Sequence, residues 1–534
     1  MGANSFSNAQ FTPLIIGSLL LALSVLLFSR KRGVSLFLLF FGAIFFGLFV
    51  ANLNLFLEIW DEQYHALVAK NLSDDFLNPI LLNNPIFEYN SNSWTNNSVW
   101  LHKQPLFLWQ IAASIKLFGP TVFAVRFPSI IMHAIIPLFI YKIGKIAVTE
   151  RSGFYGALFF TLAYFPLELI SGRFSTDHND VAFLFYVTAS VWAWFEYQNS
   201  KKWKWLVMIG LFSGGAILVK WLVGLLIYGV WGISKLISEY KEKFSVKSYL
   251  PILYSCLVCI FIFLPWQLYI LIAYPNEALY ELQLNSAHFF EVIEGHSGPW
   301  HFHFTEAFKV MYGSGDALPF IFLLAFILFI TRIERLIFRV FLVTIVVVIY
   351  SFYSIAATKM LAFTVVLAPY IYLSLGSLID RGLIYLENKK INKITIGSIT
   401  AALLIGITVI LPNFSKITQY HGANNIKINE HVILKNFEKK IILSLDAELQ
   451  GEYILFNCQI TENGHIPFMF FTNHSAFTFI PSEDQLLLAK KNNTNIAILD
   501  LGNLPEYINA DESIRKIDAT HFQGLIKKSK LLRE

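Results

Sequence analysis

Charge is what this chain is short of. Only 14% of its 534 residues are Asp, Glu, Lys or Arg, against about 25% in a soluble globular protein, while 55% are hydrophobic. That balance excludes a chain solvated by water over most of its length. Three cysteines, Cys256 and Cys259 inside one apolar run and Cys458 alone, are too few for a disulfide framework. Internal repeats and low-complexity tracts are absent, so neither organises the chain. The formal net charge of +5 is spread over short loops and offers no basic patch for nucleic acid. The leader "MGANSFSNAQF" has no basic residue, and "SRKRG" follows the apolar run 14–28. Both features oppose a cleaved signal and predict a helix whose N-terminus faces outward.

What the sequence does have is apolar runs of spanning length. About 20 apolar residues cross the hydrocarbon layer, and the runs predict twelve spans: 12–29, 34–57, 122–142, 152–171, 179–197, 205–220, 222–238, 249–273, 317–331, 336–355, 360–379 and 394–412. Lys220 interrupts the stretch 205–238, which reads as a re-entrant pair if not as two spans. "SRKRG", "KIGKIAVTER", "NSKKWKW", "EYKEKFSVK", "TRIERLIFR" and "ENKKINK" all fall on one side of this layout, the cytoplasmic side by the positive-inside rule. The expected fold is mainly α, a multi-pass transmembrane helical bundle. An extra N-terminal helix occupies 1–33 and a catalytic membrane domain 34–412. Within the latter, outer loop 58–121 is expected to carry interfacial helices rich in Trp and Asn, and 274–316 is a second outer loop. Residues 413–534 are expected to form a small α/β domain outside, with strands at "YILFN", "FMFFT", "FTFI" and "NIAILDL" and helices at 432–443 and 483–491.

Just past the second span the chain reads "WDEQYHALVAKNL". On a helix from 61 to 72, Tyr64, Leu67, Val68 and Leu72 form an apolar stripe that includes Asp61, with His65 at its edge. Glu62 falls on the flank, and Gln63 and Lys70 point away. An inward-turned carboxylate is desolvated, which marks a functional candidate; the plain alternative is an acid favoured by the helix N-terminus. Lys103, Arg126, Arg173, Asp177 and Lys359 fall at the outer ends of separate spans. Each cation alone reads as a snorkelling anchor. Together they oppose the depletion of Lys and Arg expected on that side, and a lipid phosphate is the anion that lives there.

These motifs resemble those of the lipid-carrier-dependent glycosyltransferases of the multi-spanning GT-C superfamily. The likeness is to the branch containing protein O-mannosyltransferases and the lipid A aminoarabinose transferase. It rests on "WDEQYHALVAKNL", "HKQPLFLW", "FGPTVFAVRFPS", "GRFSTD" and "HSGPW", in register over residues 34–380. Departures are Gln104 for the first proline of a "KPPL" element, His102 where an acid is common, and Phe363 where a tyrosine is frequent. The resemblance implies transfer of a sugar from a polyprenyl-phosphate donor to an acceptor hydroxyl on a lipid, glycan or protein, inverting the anomeric carbon in one step.

A departing lipid phosphate needs no general acid, so the reaction asks for one base and for fixed positive charge. Asp61 is expected as the base, with Glu62 behind it. Lys103, Arg126 and Lys359 are expected to bind the donor phosphate, with Arg173 behind them because Asp177, one turn away, can pair with it. His65, His102, Asp177 and His296 are expected to shape the site, and Lys220 to snorkel or pair with a neighbouring helix. No cofactor is expected, with a divalent metal as the alternative that His288, His296, His301 and His303 of the second outer loop and His65 and His102 of the first leave open. Two histidines in "HFH" fall short of the three or four convergent ligands of a zinc site. The expected location is a bacterial inner membrane, with the site and the C-terminal domain on the periplasmic side. The alternatives are a secondary transporter, whose charges would sit near the midplane, and a lipid-linked glycan ligase or polymerase.

Overall fold

In the computed structural model the described residues are 8–54, 56–58, 60–82, 86–171, 177–240, 245–313, 318–389, 400, 426–460, 463–492 and 494–520. Among them, six helical stretches are long and apolar enough to cross a membrane: Arg32–Ala51, Val122–Ala147, Trp203–Ser238, Val246–Ala273, Leu336–Ile355 and Leu361–Asn388. Shorter apolar helices at Phe11–Leu27, Pro105–Phe118 and Leu318–Arg332 accompany them. The chain is a mainly helical multi-span membrane protein. The span expected at 394–412 lies outside the described residues.

The helices of the bundle are α1 (Asn8–Leu27), α2 (Arg32–Ala51), α3 (Asp61–Asp74), α4 (Pro105–Phe118), α5 (Val122–Ala147), α6 (Glu150–Thr161), α7 (Tyr164–Glu168) and α8 (Asp177–Ser200). They continue as α9 (Trp203–Lys220), α10 (Leu226–Ser238), α11 (Leu250–Ala273), α12 (Pro275–Phe290), α13 (Glu306–Tyr312), α14 (Leu318–Arg332), α15 (Leu336–Ile355) and α16 (Ala368–Asn388). Small residues set the tightest contact. A Cβ on Gly376 of α16 would fall 2.6 Å from the Ser152 carbonyl of α6, leaving no room for a side chain. The stretch 203–238 is two helices. Trp221 takes φ +53°, a 3-10 turn follows, and Gly224 comes back onto the α9 backbone at Ala216 and Ile217.

The basic loops meet at one end of the bundle. Arg32 pairs with Glu150, and Lys145 reaches the same carboxylate at 2.7 Å. Arg151 and Arg332 converge on buried Asp380, and Arg335 bonds the Gln198 carbonyl at 3.0 Å. Asp61, Lys103 and Lys220 lie at the other end.

Beyond the bundle, α17 (Ile426–Glu448) leads into β1 (Tyr453–Phe456), α18 (His465–Phe471), β2 (Ser475–Ala476), α19 (Glu483–Lys491), β3 (Asn495–Asp500), α20 (Glu506–Asn509) and β4 (Ile514–Asp518). The strands form one parallel sheet in the order β2-β1-β3-β4, with Ile454 opposite Ile496 and Ile496 opposite Ile514. Helix α19 starts at a reciprocal Ser482–Gln485 capping box. "FMFFT" is helix, not strand: a short aromatic run has no decisive period, and here it packs its aromatic side chains inside. "FTFI" follows the two-residue strand β2 rather than forming it.

This sheet domain bears directly on the chain between α2 and α4. Lys70 of α3 donates to the carbonyls of Met469, at 2.8 Å, and Thr472. Phe56 stacks on Phe471, and Phe87 inserts among Phe456, Phe477 and Phe479. Helix α3 is therefore enclosed, with every residue from Asp61 to Ala69 buried. It does not lie at an interface with one face free, as the stripe argument assumed.

Candidate functional site

A cavity of about 700 Å³ opens at the end of the bundle opposite the basic loops. Its wall includes Trp60, Asp61, Trp94, His102 and Lys103 from the chain between α2 and α4, Asn179 from α8, Lys220 and Trp221 from the α9–α10 turn, and His288, Glu294 and His296 from α12 and the loop after it. Helix α3 begins at Asp61 because Trp60, at φ +64°, turns the chain out of the preceding loop. The turns at Trp221 and Glu294, each at φ +53°, aim two more residues at the same wall. Non-glycine residues at such φ are uncommon and cluster at functional sites.

The adjacent carboxylates have opposite surroundings. Asp61 keeps 8% of its surface and faces the cavity. Burial raises its pKa, and Lys103, whose Nζ is 3.8 Å from Oδ2, pulls it partly back. Glu62 is wholly buried. Arg126 clamps it with two hydrogen bonds, Nε to Oε1 at 2.7 Å and Nη2 to Oε2 at 3.0 Å, and His178 Nε2 lies 3.3 Å from Oε1. Burial alone would raise Glu62, but Arg126 and His178 hold it well below the usual carboxylate range. The flank position expected for Glu62 is thus corrected: it points into the bundle, away from the cavity.

Two of the expected phosphate ligands sit elsewhere. Arg126 is fully buried. Besides Glu62 it bonds the carbonyls of Ala51, Asn54 and Phe56, so its guanidinium locks the α2–α3 junction instead of meeting the cavity. Lys359 spends its ammonium on the carbonyls of Tyr353, Ser354 and Ala356, capping the C-terminus of α15. Lys103 does line the cavity. Arg173 and the Asp177 side chain lie outside the described residues.

Of the expected shaping residues, His102 and His296 line the cavity. His65 does not. It is buried against Trp100 and Phe107, and neither ring nitrogen has a hydrogen-bond partner among the described residues. Sequence reasoning missed Lys220 as a cavity residue. It pairs with buried Asp180 and lies 5.5 Å from the Phe363 ring centroid. Its signal was present, a lysine breaking an apolar run, but what it meets comes from another helix. Among the described residues, no three His, Cys, Asp or Glu side chains converge as a metal site requires.

Comparison with known proteins follows the same outline. Residues 102–269 match the family described as dolichyl-phosphate-mannose-protein mannosyltransferase. An uncharacterized protein of Aquifex aeolicus is 26% identical over 201 residues, 36% of this chain and 36% of that protein. The match thus spans little more than a third of the relative's length. Among solved structures, ArnT from Cupriavidus metallidurans bound to undecaprenyl phosphate superposes with a TM-score of 0.60 at 14% identity, covering 84% of this chain and 86% of that one. AglB, the oligosaccharyltransferase of Archaeoglobus fulgidus, in complex with an inhibitory peptide and a dolichol-phosphate, gives 0.55 at 12% identity, covering 88% and 69%. Residues 102–269 thus carry the sequence pattern of that mannosyltransferase family, and over 84% of its length the chain, a multi-span membrane protein, shares the fold of ArnT.

Proposed function

We propose that this chain moves a sugar from a polyprenyl-phosphate carrier to an acceptor hydroxyl by a single inverting displacement. Asp61 takes the acceptor's proton as its oxygen attacks the anomeric carbon. The bond from that carbon to the phosphate oxygen breaks, and its electron pair leaves with the lipid phosphate. Lys103 and Lys220 face the charge that develops there. The observation that carries the reading is one cavity holding an accessible but desolvated carboxylate together with two lysines. The polyprenyl phosphate in ArnT and the dolichol-phosphate in AglB, two proteins of similar fold, support the class of donor.

In this reading the chain crosses the membrane twelve times. The cavity and the sheet domain face outward, because the basic loops gather at the opposite end. The acceptor is a hydroxyl of a lipid, glycan or protein.

The test is release of free polyprenyl phosphate from a polyprenyl-phosphate hexose by the protein purified in detergent. Wild type should release it in the presence of an acceptor, and Asp61→Asn should not. A wild-type protein that moves the lipid without cleaving it, or an Asp61→Asn variant with near-normal turnover, overturns the proposal.

A further inference from the structure

Behind Lys103 stands a row of polar groups that the reaction as described does not use. Lys103 Nζ lies 3.0 Å from His102 Nε2, and His102 Nδ1 lies 3.2 Å from Glu281 Oε2 on α12. Both of these partners are buried, His102 at 6% and Glu281 at 3% exposure. The His102 ring has little freedom. It stacks on Trp94 with centroids 4.5 Å apart and planes 11° apart, and Trp100 meets its edge at 5.7 Å. Trp94 is itself tied to the second outer loop by its indole N–H, 3.1 Å from Glu294 Oε1.

Donor and acceptor roles follow from elementary chemistry. An ammonium has three donors and no lone pair, so His102 Nε2 must accept from Lys103. The proton of the neutral ring then sits on Nδ1 and is donated to Glu281. Burial and the neighbouring Lys103 both keep the imidazole uncharged, well below its ordinary pKa. Glu281 thus fixes the tautomer that leaves Nε2 free. Nε2 in turn holds the ammonium at the cavity wall, 3.8 Å from Asp61. Without that acceptor, a lysine on a flexible four-carbon stem is free to close fully onto Asp61. It would then neutralise the base and abandon the phosphate position.

We propose that His102 and Glu281 are positioning residues for Lys103, a carboxyl–imidazole pair that holds the ammonium between Asp61 and the donor phosphate. The inference rests on the reading of Lys103 as a phosphate-facing cation, and the experiment separates the two. Binding of undecaprenyl phosphate, without sugar, is measured on the full chain in detergent micelles. His102→Phe keeps the stack on Trp94 but loses the acceptor. It should bind about tenfold more weakly, the loss expected for a hydrogen bond to a charged group. His102→Gln, whose amide oxygen can accept, should recover most of that. In a Lys103→Ala background, His102→Phe should cost nothing further, because its only route to the ligand has been removed.

Undiminished binding in His102→Phe, or losses that add in the double variant, overturns the pair while leaving the phosphate site standing. If His102→Phe fails to fold, Glu281→Leu, which removes the acceptor of the Nδ1–H at similar volume, is read in the same cycle. It should weaken binding in the wild-type background and be silent beside Lys103→Ala. A wild-type protein that does not bind undecaprenyl phosphate overturns the phosphate-site reading itself, and the positioning pair with it.

Discussion

Asp61 and Glu62 are neighbours in sequence, and neutralising each should break a different property. Glu62→Ala strips the counter-charge from a guanidinium that is wholly buried. The loss includes both bonds from Arg126, at 2.7 and 3.0 Å, and the Glu58 backbone N–H bond to the same carboxylate. The three carbonyls that remain on Arg126 satisfy three of its five N–H groups and leave its charge uncompensated. Leaving one partner of a buried pair unpaired costs about 3–5 kcal/mol. Asp61→Asn replaces a carboxylate that burial already disfavours with a neutral group of the same shape, so stability should fall far less than in Glu62→Ala. Turnover should fall by about 10²–10⁴-fold, the worth of a general base. Unfolding in mixed micelles with a denaturing detergent, followed by tryptophan fluorescence, reads the first quantity, and polyprenyl phosphate release reads the second. If Glu62→Ala unfolds within about 1 kcal/mol of wild type, the buried-clamp argument is wrong. If Asp61→Asn is the less stable variant, the two roles have been exchanged.

Lys220→Met should weaken undecaprenyl phosphate binding several-fold, and an unchanged isotherm would remove Lys220 from the phosphate site. On the acid side, kcat/KM should rise with pH as Asp61 loses its proton. Because burial raises the folded-state pKa, that limb should lie above the ordinary aspartate value of about 3.9. A limb at or below that value in the pH–rate profile contradicts the assignment of Asp61 as a desolvated base. Phe87→Ala removes a half-buried ring from the aromatic cluster of the sheet domain and should cost about 2 kcal/mol, roughly half of a full core truncation. Limited proteolysis should then cut the 86–101 segment faster, and equal cleavage rates would show that the ring does not pin the loop.

The membrane class, most helices and the inward turn of Asp61 towards a cavity were legible because each depends on local pattern: run length, basic loops, and an acid set where a span ends. Glu62 and Arg126 were misplaced for a common reason. The helical-stripe argument grants one buried face, whereas α3 is covered by the bundle on one side and by Met469 and Thr472 on the other, a contact about 400 residues away in sequence. Lys359 read as an outer cation, but its backbone carbonyl neighbours could not be read from residue types. Strand β4, "IRKID", escaped because its exposed Arg515 and Lys516 give it the polarity of a loop. The contacts of Glu281 with His102 and of Lys220 with the cavity could not be read before folding brought α12 and the α9 end beside the chain between α2 and α4.

Trp60, Trp221 and Glu294 adopt left-handed backbone angles on a single wall, each at an energetic cost of about 1–3 kcal/mol. That energy is offset by packing elsewhere in the bundle, and in the proposed reading it aims side chains at the cavity. The sequence of greatest stability and the sequence of greatest competence must therefore part company at these positions. Thermal selection alone would relax residues 60, 221 and 294 towards glycine and blunt the pocket, while the helices that carry it grew firmer.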